Sequence, residues 1–459
     1  MLLNTEQMRY FGAMIMEQNA KCLRIALLDI KNNPHKETLK HLFKTYALEF
    51  AEITESSFLT HLQALEQEEI LQALLQKINQ EIKQESQEKE SSIQEFVRFV
   101  LQRAVLERAS DVHFELDLEY MRVRFRIDGV LVEKLCLESW VFAPISASIK
   151  LLAHLNLTES KLPQDGRFSL EFFKEQIFDI RVSTLPLVEG ESLVLRILDK
   201  QKTLIPLESL GFGELELQQI EKLFNLPLGL VLITGPTGSG KSTTMYGILN
   251  ILKERNLKII TLEDPVEYRL KHINQVAMTK EVDFANVLRN VLRQDPDVIS
   301  LGEVRDKESL QLAIQAAFTG HLVFATLHTN DALDCIVRLL DMGLEPHFIA
   351  QSLSGILAQR LLRKLCDCKE KGDRGYLAKG CVQCNHTGYF GRTAIAEVVL
   401  TSQQLEEFIK GKLSKREILE FLQSKEKNFS LEKKALQLVE LGITDEAEVY
   451  RVVKNAFFS

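Results

Sequence analysis

A glycine-rich segment, placed between an apolar run and a stretch with helical spacing, carries the clearest chemistry in the sequence. It consists of Gly235, Pro236, Thr237, Gly238, Ser239, Gly240, Lys241 and Ser242, and it is followed by Thr243. It fits the pattern GxxxxGK[ST], in which backbone N–H groups and a helix N-terminus surround a phosphate. We expect Lys241 to contact the β- and γ-phosphates and Ser242 to bind Mg²⁺. The segment predicts a site for a nucleoside triphosphate.

Acidic side chains follow two further apolar runs. Residues 257–262 and 298–301 have the length and composition of buried strands. Carboxylates at the C-terminal end of a parallel strand lie beside bound phosphate, where they can activate water or hold a metal. Those after the first run are Glu263, Asp264 and Glu267. Glu303 follows the second run at the Walker B position, with Gly302 where an aspartate is usual, and we expect it to act on Mg²⁺ or on the attacking water.

Arginines in apolar strands and on one helix are candidates for contacting the phosphates. Arg181 and Arg196 occur in the segments FDIRVSTL and SLVLRIL, where an unpaired charge would be costly to bury. Each therefore requires an anionic partner, either an internal carboxylate or the γ-phosphate of the same or the next subunit. Arg289 and Arg293 are four residues apart and so share one face of a helix.

Two histidines flank the apolar segment HLVFATLHT, which predicts a fourth strand of the same sheet. They are His321 and His328. A lone histidine is more often a structural hydrogen-bond partner, but one at the end of a parallel strand could sense the γ-phosphate. Both interpretations are open for this pair.

Four cysteines follow the spacing C-x-C-x12-C-x2-C, and they are Cys366, Cys368, Cys381 and Cys384. Four thiolates in a loop-rich insert suit a tetrahedral structural Zn²⁺. The C-x-C pair has a tighter geometry than the common C-x2-C, so a metal-free loop is the alternative. We expect the remaining cysteines, Cys22, Cys136 and Cys335, to be small apolar core residues.

The elements in front of the phosphate loop form two regions and a connection. Residues 1–76 have apolar positions at helical spacing and one short strand candidate over residues 23–28, which predicts a small, mostly helical module. Residues 77–92 are polar and predict a linker, either a solvated helix or a flexible tether. Residues 93–200 combine an amphipathic helix with alternating segments, which predicts an α+β domain that bears the strand arginines.

The phosphate loop itself belongs to a third region. Residues 201–400 carry the buried strands described above and predict a parallel α/β domain, interrupted by the cysteine insert at residues 366–384. Residues 401–459 have helical spacing and no visible chemistry.

Composition limits the classes of partner and compartment. The 459 residues contain 56 basic and 64 acidic side chains, for a net charge of −8, so a polyanionic partner such as nucleic acid is not expected. No apolar run approaches the roughly 20 residues that span a bilayer, and the first residues lack a secretory signal, which indicates a cytoplasmic protein. Seven cysteines, an odd number, argue against a disulfide scaffold.

The order of these motifs resembles the hexameric ATPases of type II secretion and type IV pilus assembly. The resemblance covers roughly residues 93–400. The blocks that carry it are ASDVHFE, DGRFSL, DIRVSTLP, GPTGSGKST, TLEDPVEY, LRQDPDVISLGEVRD, AAFTGHLVFATLHTNDA and GYFGRTAIAEV. The block GESLVLR departs from the more usual GERVVLR at Ser192. The resemblance implies a RecA-like motor domain preceded by a PAS-like domain. It also implies roles for particular residues: an acidic box at Glu263, Asp264 and Glu267, a Walker B acid at Glu303, a histidine box at His321 and His328, and phosphate contacts from Arg181, Arg196, Arg289 and Arg293.

The same resemblance implies a function. Such a protein would form a homohexameric ring that is peripheral to the cytoplasmic face of the inner membrane. It would hydrolyse ATP with Mg²⁺, with Glu263 activating water, and would act on a membrane platform protein and a cytoplasmic adaptor domain. Because pilus-retraction relatives usually lack both a front domain and the tetracysteine insert, the resemblance favours the assembly or secretion branch.

Two other classes of function compete with this interpretation. Ring-shaped motors also move nucleic acid, so a DNA-uptake motor or a nucleic-acid translocase is the main alternative, and stimulation by DNA that falls with salt would reveal it. A nucleotide-gated scaffold that binds ATP without hydrolysing it is the second alternative. The negative net charge argues against the first, and the retention of every acidic motif argues against the second.

Overall fold

The computed structural model describes residues 2–19, 21–84, 89–173, 176–199, 204–278, 284–304, 306–372 and 375–453. The chain divides into two compact units, of which the first comprises residues 1–198 and 379–388 and the second residues 199–378 and 389–459. No helix in the described ranges combines the length and the hydropathy needed to cross a membrane.

The N-terminal region of the first unit contains a small sheet as well as helices. Its elements are α1 (Thr5–Phe11), β1 (Ala13–Gln18), β2 (Cys22–Leu27), α2 (Lys36–Leu42), β3 (Ala47–Glu52) and α3 (Glu55–Gln84). Strand β2 pairs with β1 antiparallel and with β3 parallel, over a core that includes Leu23, Ile25 and Leu39. The expected strand at residues 23–28 is present as β2, but the expectation of a mostly helical module overlooked β1 and β3. Six-residue apolar runs do not distinguish strand from helix by periodicity alone.

The linker expected at residues 77–92 is helical where the structure describes it. Residues 77–84 continue α3, and α4 (Lys89–Leu106) begins soon after residues 85–88, which lie outside the described residues. Leu71 and Ile78 of α3 are buried in the same apolar core as Phe96 and Val100 of α4. The second half of α3 therefore packs on α4 through an apolar stripe. The polar residues around this stripe led to the prediction of a linker.

The region from α4 onward consists of helices on an antiparallel sheet. It contains β4 (Ala109–Leu116), β5 (Tyr120–Ile127), β6 (Val130–Glu138), α5 (Phe142–Leu152), β7 (Gln164–Phe172), β8 (Gln176–Leu187) and β9 (Gly190–Asp199). The strand order is β6-β5-β4-β9-β8-β7. Alternate residues of the strands face α4 and α5 and form one core, and the opposite face carries the arginines.

The second unit is a parallel α/β domain, as predicted. Its elements up to the insert are α6 (Glu214–Phe224), β10 (Gly229–Thr234), α7 (Lys241–Leu252), β11 (Ile259–Glu263), β12 (Asn274–Ala277), α8 (Phe284–Val291), β13 (Val298–Leu301), α9 (Lys307–Phe318), β14 (Leu322–Leu327), α10 (Ala332–Asp341), α11 (Pro346–Ser352) and β15 (Leu353–Leu365). The sheet order is β12-β11-β13-β14-β10-β15-β18, parallel as far as β15. Apolar cores cover both faces of this sheet, so β10 is buried along its whole length.

The remaining elements follow the insert. They are β16 (Glu370–Gly372), β17 (Gly375–Leu377), β18 (Tyr389–Leu400), α12 (Gln403–Ile409), α13 (Lys415–Lys425), α14 (Leu431–Glu440) and α15 (Glu446–Val452). Strand β18 forms one edge of the sheet and pairs antiparallel with β15. Between residues 401 and 453 the described chain forms the helices α12 to α15.

Candidate active site

The phosphate loop connects the C-terminal end of β10 to the first residue of α7. Strand β10 lies between β14 and β15, so its end opens at the middle of the sheet. Gly240 precedes α7 with a φ of 89°, a left-handed conformation that favours glycine. Gly235 needs its lack of a side chain for space, because a Cβ there would lie 2.6 Å from the carbonyl oxygen of Gln359. The expected strand, loop and helix are all present.

Lys241 is buried beneath this loop. Its Nζ donates to the carbonyl oxygens of Gly235 at 2.7 Å and Pro236 at 3.1 Å. Burial lowers the pKa of Lys241 to about 8, and Arg360 acts in the same direction while Glu303 opposes it. An ammonium group that is desolvated in this way gains most from an anionic ligand, and a polyphosphate would provide one.

His328 stands between Lys241 and Glu303. Its Nδ1 lies 3.4 Å from Lys241 Nζ, and its Nε2 lies 3.3 Å from Glu303 Oε1. An Nε2–H tautomer would accept from the lysine and donate to the carboxylate. The C-terminal ends of β10, β13 and β14 thus bring a cation, an imidazole and a carboxylate together. Ser242, on the first turn of α7, is exposed beside them.

Glu263 is held by donors from three elements. Thr261 Oγ1 donates to its Oε1 at 2.6 Å and Gln275 Nε2 donates to the same oxygen at 2.9 Å. The Tyr246 hydroxyl on α7 donates to Oε2 and accepts the backbone N–H groups of Glu267 and Tyr268 at 3.2 and 3.3 Å. Burial, reinforced by Glu263, raises the pKa of Tyr246 and keeps it a donor. The carboxylate therefore has one orientation, while Asp264 and Glu267 are exposed.

The four cysteines of the insert come together. Their sulfur atoms all lie within 4.8 Å of one another. Cys381 and Cys384 have their sulfurs 3.7 Å apart, close to the separation of about 3.8 Å that Zn–S bonds of about 2.3 Å give in a tetrahedron. The backbone N–H groups of Cys381 and Gly388 donate to Cys384 Sγ, which suits a thiolate. The donor set fits zinc.

The other cysteines are not alike. Cys335 is fully buried, which raises the pKa of its thiol to about 12, as expected for an inert core residue. Cys22 is half-buried, and Cys136 is exposed. The expectation of a core position was therefore wrong for Cys136, which lies on β6, whose residues are at most half-buried.

Comparison with known proteins places these motifs in a family. The model of the family described as "Type II/IV secretion system protein" matches residues 86–451. The chain belongs to this family. It is similar to the type II secretion system ATPase E of Vibrio cholerae, with 38% identity over 454 residues that cover 92% of this chain and 89% of the relative. It is also similar to the type II secretion system protein HxcR of Pseudomonas aeruginosa, with 42% identity over 78% of this chain and 77% of the relative.

A solved structure agrees with this assignment. The pilus retraction motor PilT, solved with bound ADP, is 27% identical and superposes with a TM-score of 0.55 over 77% of this chain and 95% of that chain. The second unit therefore has the RecA-like motor fold of secretion ATPases. The protein is an ATPase of the secretion and pilus-related class.

The motor arginines of this secretion ATPase contact residues of α8 and α9 in the structure. Arg289 on α8 pairs with Glu308 on α9 at 2.5 Å and with Asn286 at 3.0 Å. Arg293, which follows α8, contacts Asn290 at 3.5 Å and is exposed. Because α8 ends at Val291, Arg293 lies beyond the helix, and the prediction that both arginines share one helix face was wrong.

The two strand arginines of the α+β region differ from each other. Arg196 donates through Nε to Asp111 at 2.9 Å, and its side chain is 60% exposed, so the expected apolar environment was wrong and the internal carboxylate alternative applies. Arg181 makes no ion pair within the described ranges. It lies directly across from Arg167 on the neighbouring strand β7, where two cations repel. Arg167 is a candidate that sequence reasoning missed.

His321 lies at the N-terminal end of β14, whereas His328 lies at its C-terminal end beside the phosphate loop. It precedes β14, where its ring Nδ1 contacts the Ala316 carbonyl at 2.9 Å and its own carbonyl accepts the N–H of Gly229 at the start of β10. The six residues of β14 separate the two histidines by roughly 20 Å. The structural interpretation therefore holds for His321, and the expected contact with nucleotide in its own chain was wrong.

Sequence reasoning also missed polar residues that support the site from other elements. Tyr246 and Gln275 orient Glu263, while Gln359 and Arg360 lie beside the phosphate loop. Gln359 and Arg360 interrupt the long apolar run of β15. That interruption was the only feature of the sequence that could have indicated their role.

The lowered pKa of Lys241 predicts a pH-dependent affinity for nucleotide. The ammonium loses its charge as the pH rises through about 8, and ATP binds the charged form more tightly. We expect the affinity for ATP to fall about tenfold between pH 7 and pH 9. Isothermal titration at pH 8.5, in buffers of different ionisation enthalpy, should show proton uptake on binding. An affinity that is constant over this range, with no proton uptake, would contradict the prediction.

Proposed function

We propose that this ATPase assembles as a homohexamer, peripheral to the cytoplasmic face of the inner membrane, and powers assembly of a type II secretion pseudopilus or a type IV pilus. The observation that carries the proposal is the group formed by Lys241, His328 and Glu303 at the end of β10, in a chain whose relatives are named as type II secretion proteins. Its partners would be a membrane platform protein and a cytoplasmic adaptor domain.

Each residue of the site has a role in this proposal. Backbone N–H groups of residues 237–243 surround the phosphates, and Lys241 contacts the β- and γ-oxygens. Ser242 and Glu303 would hold Mg²⁺, which would neutralise charge on the phosphate oxygens. Glu263, oriented by its three donors, takes a proton from the attacking water. His328, whose ring contacts both Lys241 and Glu303, senses the γ-phosphate and couples its presence to the position of Glu303.

Arginines complete the site from a neighbouring domain or subunit. Arg181, unpaired in the described ranges and facing Arg167, has the strongest need for an anion, and Arg196 is exposed enough to exchange Asp111 for a phosphate. Arg289 and Arg293 would contact nucleotide after Arg289 leaves Glu308. Closure of the PAS-like region that bears the first two arginines would convert hydrolysis into movement.

Mixing two inactive variants tests the ring. Arg181→Ala lacks the arginine, and Glu303→Gln lacks the catalytic carboxylate, so each should be inactive alone. If the arginine acts on the next subunit, an equimolar mixture should regain activity at about a quarter of its sites, where both residues are intact. Light scattering at the assay concentration checks that hexamers form. A mixture that stays inactive would mean that Arg181 does not act on the next subunit. Activity that is constant per subunit in a monomer would refute the ring.

The zinc site predicts a metal content. We expect about one zinc per chain in the purified protein by mass spectrometry, and almost none after Cys381→Ser with Cys384→Ser, together with a lower Tm. The exposed Cys136→Ser is the matched control and should change neither quantity. Zinc below a tenth of an equivalent in the wild-type protein would favour the metal-free loop.

The nucleic-acid alternative has its own test. Addition of DNA at low salt should leave the ATPase activity unchanged, because the net charge of −8 offers no general attraction for phosphates. Stimulation that falls steeply with salt would support a DNA motor instead.

A further inference from the structure

Strand β15 extends beyond the end of β10 and runs alongside the phosphate loop. Ala358 pairs with Thr234, the last residue of β10, so the next residue of β15, Gln359, lies level with the first residue of the loop. Gln359 is only 1% exposed. A buried amide needs protein partners for both its oxygen and its nitrogen, because water cannot supply them.

Both ends of this amide bind the phosphate loop and its helix. Gln359 Nε2 donates to the carbonyl oxygen of Ser239 at 2.9 Å, and Gln359 Oε1 accepts from the hydroxyl of Thr244 at 2.7 Å. Thr244 is itself fully buried on the first turn of α7. The amide therefore spans Lys241 and Ser242, with one bond before them in the chain and one after.

The space around the loop is also shaped by Gln359. A Cβ on Gly240 would lie 2.8 Å from Gln359 Nε2, and one on Gly235 would lie 2.6 Å from the Gln359 carbonyl oxygen. That carbonyl is held in turn by Arg360, whose guanidinium donates to it at 3.0 Å and also binds the carbonyl of Asn330. Two glycines of the loop are thus required partly because this residue approaches so closely.

We propose that Gln359 is a positioning residue that holds the phosphate loop in its nucleotide-binding shape. One bond holds the backbone at Ser239 before Lys241, and the other holds the Thr244 side chain on α7 after it. The N–H groups that meet the phosphates are therefore already aligned before nucleotide arrives. Neither bond involves a group that changes charge during hydrolysis. The residue therefore contributes equally to ground-state and transition-state binding, and its loss raises KM more than it lowers kcat. The inference requires the ATP site alone and is independent of the ring and of the machine it serves.

Gln359→Leu keeps the volume of the side chain and removes both bonds. It leaves the Ser239 carbonyl and the Thr244 hydroxyl without these partners, so the loop is expected to relax toward other shapes. We expect the affinity for ATP and for ADP to weaken by about tenfold or more, and kcat at saturating ATP to stay within about threefold of the wild type. Isothermal titration gives the affinities, and phosphate release gives KM and kcat.

A second variant removes the donor of the hydrogen bond between Thr244 and Gln359. Thr244→Val keeps the shape of the side chain and removes the hydroxyl donor, and it should weaken nucleotide binding by several-fold. Because both changes break one shared bond, the double variant should lose less affinity than the sum of the two losses in free energy. If Gln359→Leu does not fold, Thr244→Val carries the test alone.

The matched control separates positioning from general stability. Ser352, next to the other end of β15, is also a buried polar residue, and its hydroxyl donates to the Phe348 carbonyl at 2.8 Å. Ser352→Ala should lower the Tm without changing nucleotide affinity. Nucleotide affinity of Gln359→Leu that equals the wild type, or a kcat loss with unchanged KM, would overturn the proposal.

Discussion

Replacing Lys241 with alanine should lower ATP turnover at least about a hundredfold, one of the two largest effects expected for a single change in this protein. Lys241 is the buried cation of the loop, and removing one preformed charge donor from a developing anion costs about 10²–10³ in rate. Binding of ATP should weaken as well, since the ammonium contacts ground-state phosphates. Steady-state phosphate release measures the first effect, and titration calorimetry measures the second.

The control for Lys241→Ala is Lys222→Ala. Lys222 is exposed on α6, and its loss should leave turnover and nucleotide affinity unchanged. A thermal melt should show that Lys241→Ala remains folded, because burial penalises the ammonium group and its removal relieves that penalty. If the alanine variant hydrolysed ATP at the wild-type rate, the assignment of the site would be wrong.

Glu303→Gln should produce a protein that binds ATP but hardly hydrolyses it. The amide keeps the size of the side chain and can still accept from His328, but it cannot hold Mg²⁺ as a carboxylate does or take up a proton. We expect kcat to fall about 10²–10⁴-fold with nucleotide affinity within a few-fold of wild type. Single-turnover assays with radiolabelled ATP would show the nucleotide retained in its uncleaved form.

Two further variants sharpen this result. Glu254→Gln changes a carboxylate that is 76% exposed near the end of α7, and it should be neutral. Glu263→Gln should also lower kcat, since it removes the group that is oriented toward proton transfer by Tyr246, Thr261 and Gln275. Full turnover in both Glu303→Gln and Glu263→Gln would mean that the carboxylates are structural. Full activity in the cell with hydrolysis abolished would support the nucleotide-gated scaffold.

The parts of the site that were predictable are those encoded in consecutive residues. The loop from Gly235 to Ser242 needs its glycines for local backbone geometry, and the apolar run before it determines that a buried strand leads in. The spacing of the four cysteines likewise reflects ligand geometry around one ion, and their sulfurs do converge. Such patterns involve residues that are close together in the sequence, so they can be recognised without knowledge of the fold.

Predictions failed where they depended on which face or which end of an element a residue occupies. His321 and His328 belong to the same apolar segment, but a strand has two ends, and only the carboxyl end meets the phosphate loop. Arg196 sits among apolar residues in the chain, yet strand alternation points its side chain to the exposed face beside Asp111. The strands β1 and β3 were missed because six-residue segments do not distinguish strand from helix by periodicity alone, and β3 reaches β2 only through a pairing between distant positions such as Cys22 and Ala47.

The sequence by itself determined that the chain has a phosphate loop on a parallel α/β domain, acids at the ends of neighbouring strands and a cysteine cluster. Only the tertiary structure decided which distant side chains complete them. Gln359 reaches the loop from a residue 120 positions away from Ser239, and Tyr246 reaches Glu263 across the space between a helix and a strand. Hydrogen bonds between distant segments depend on sheet order and register, which no local pattern in the chain specifies.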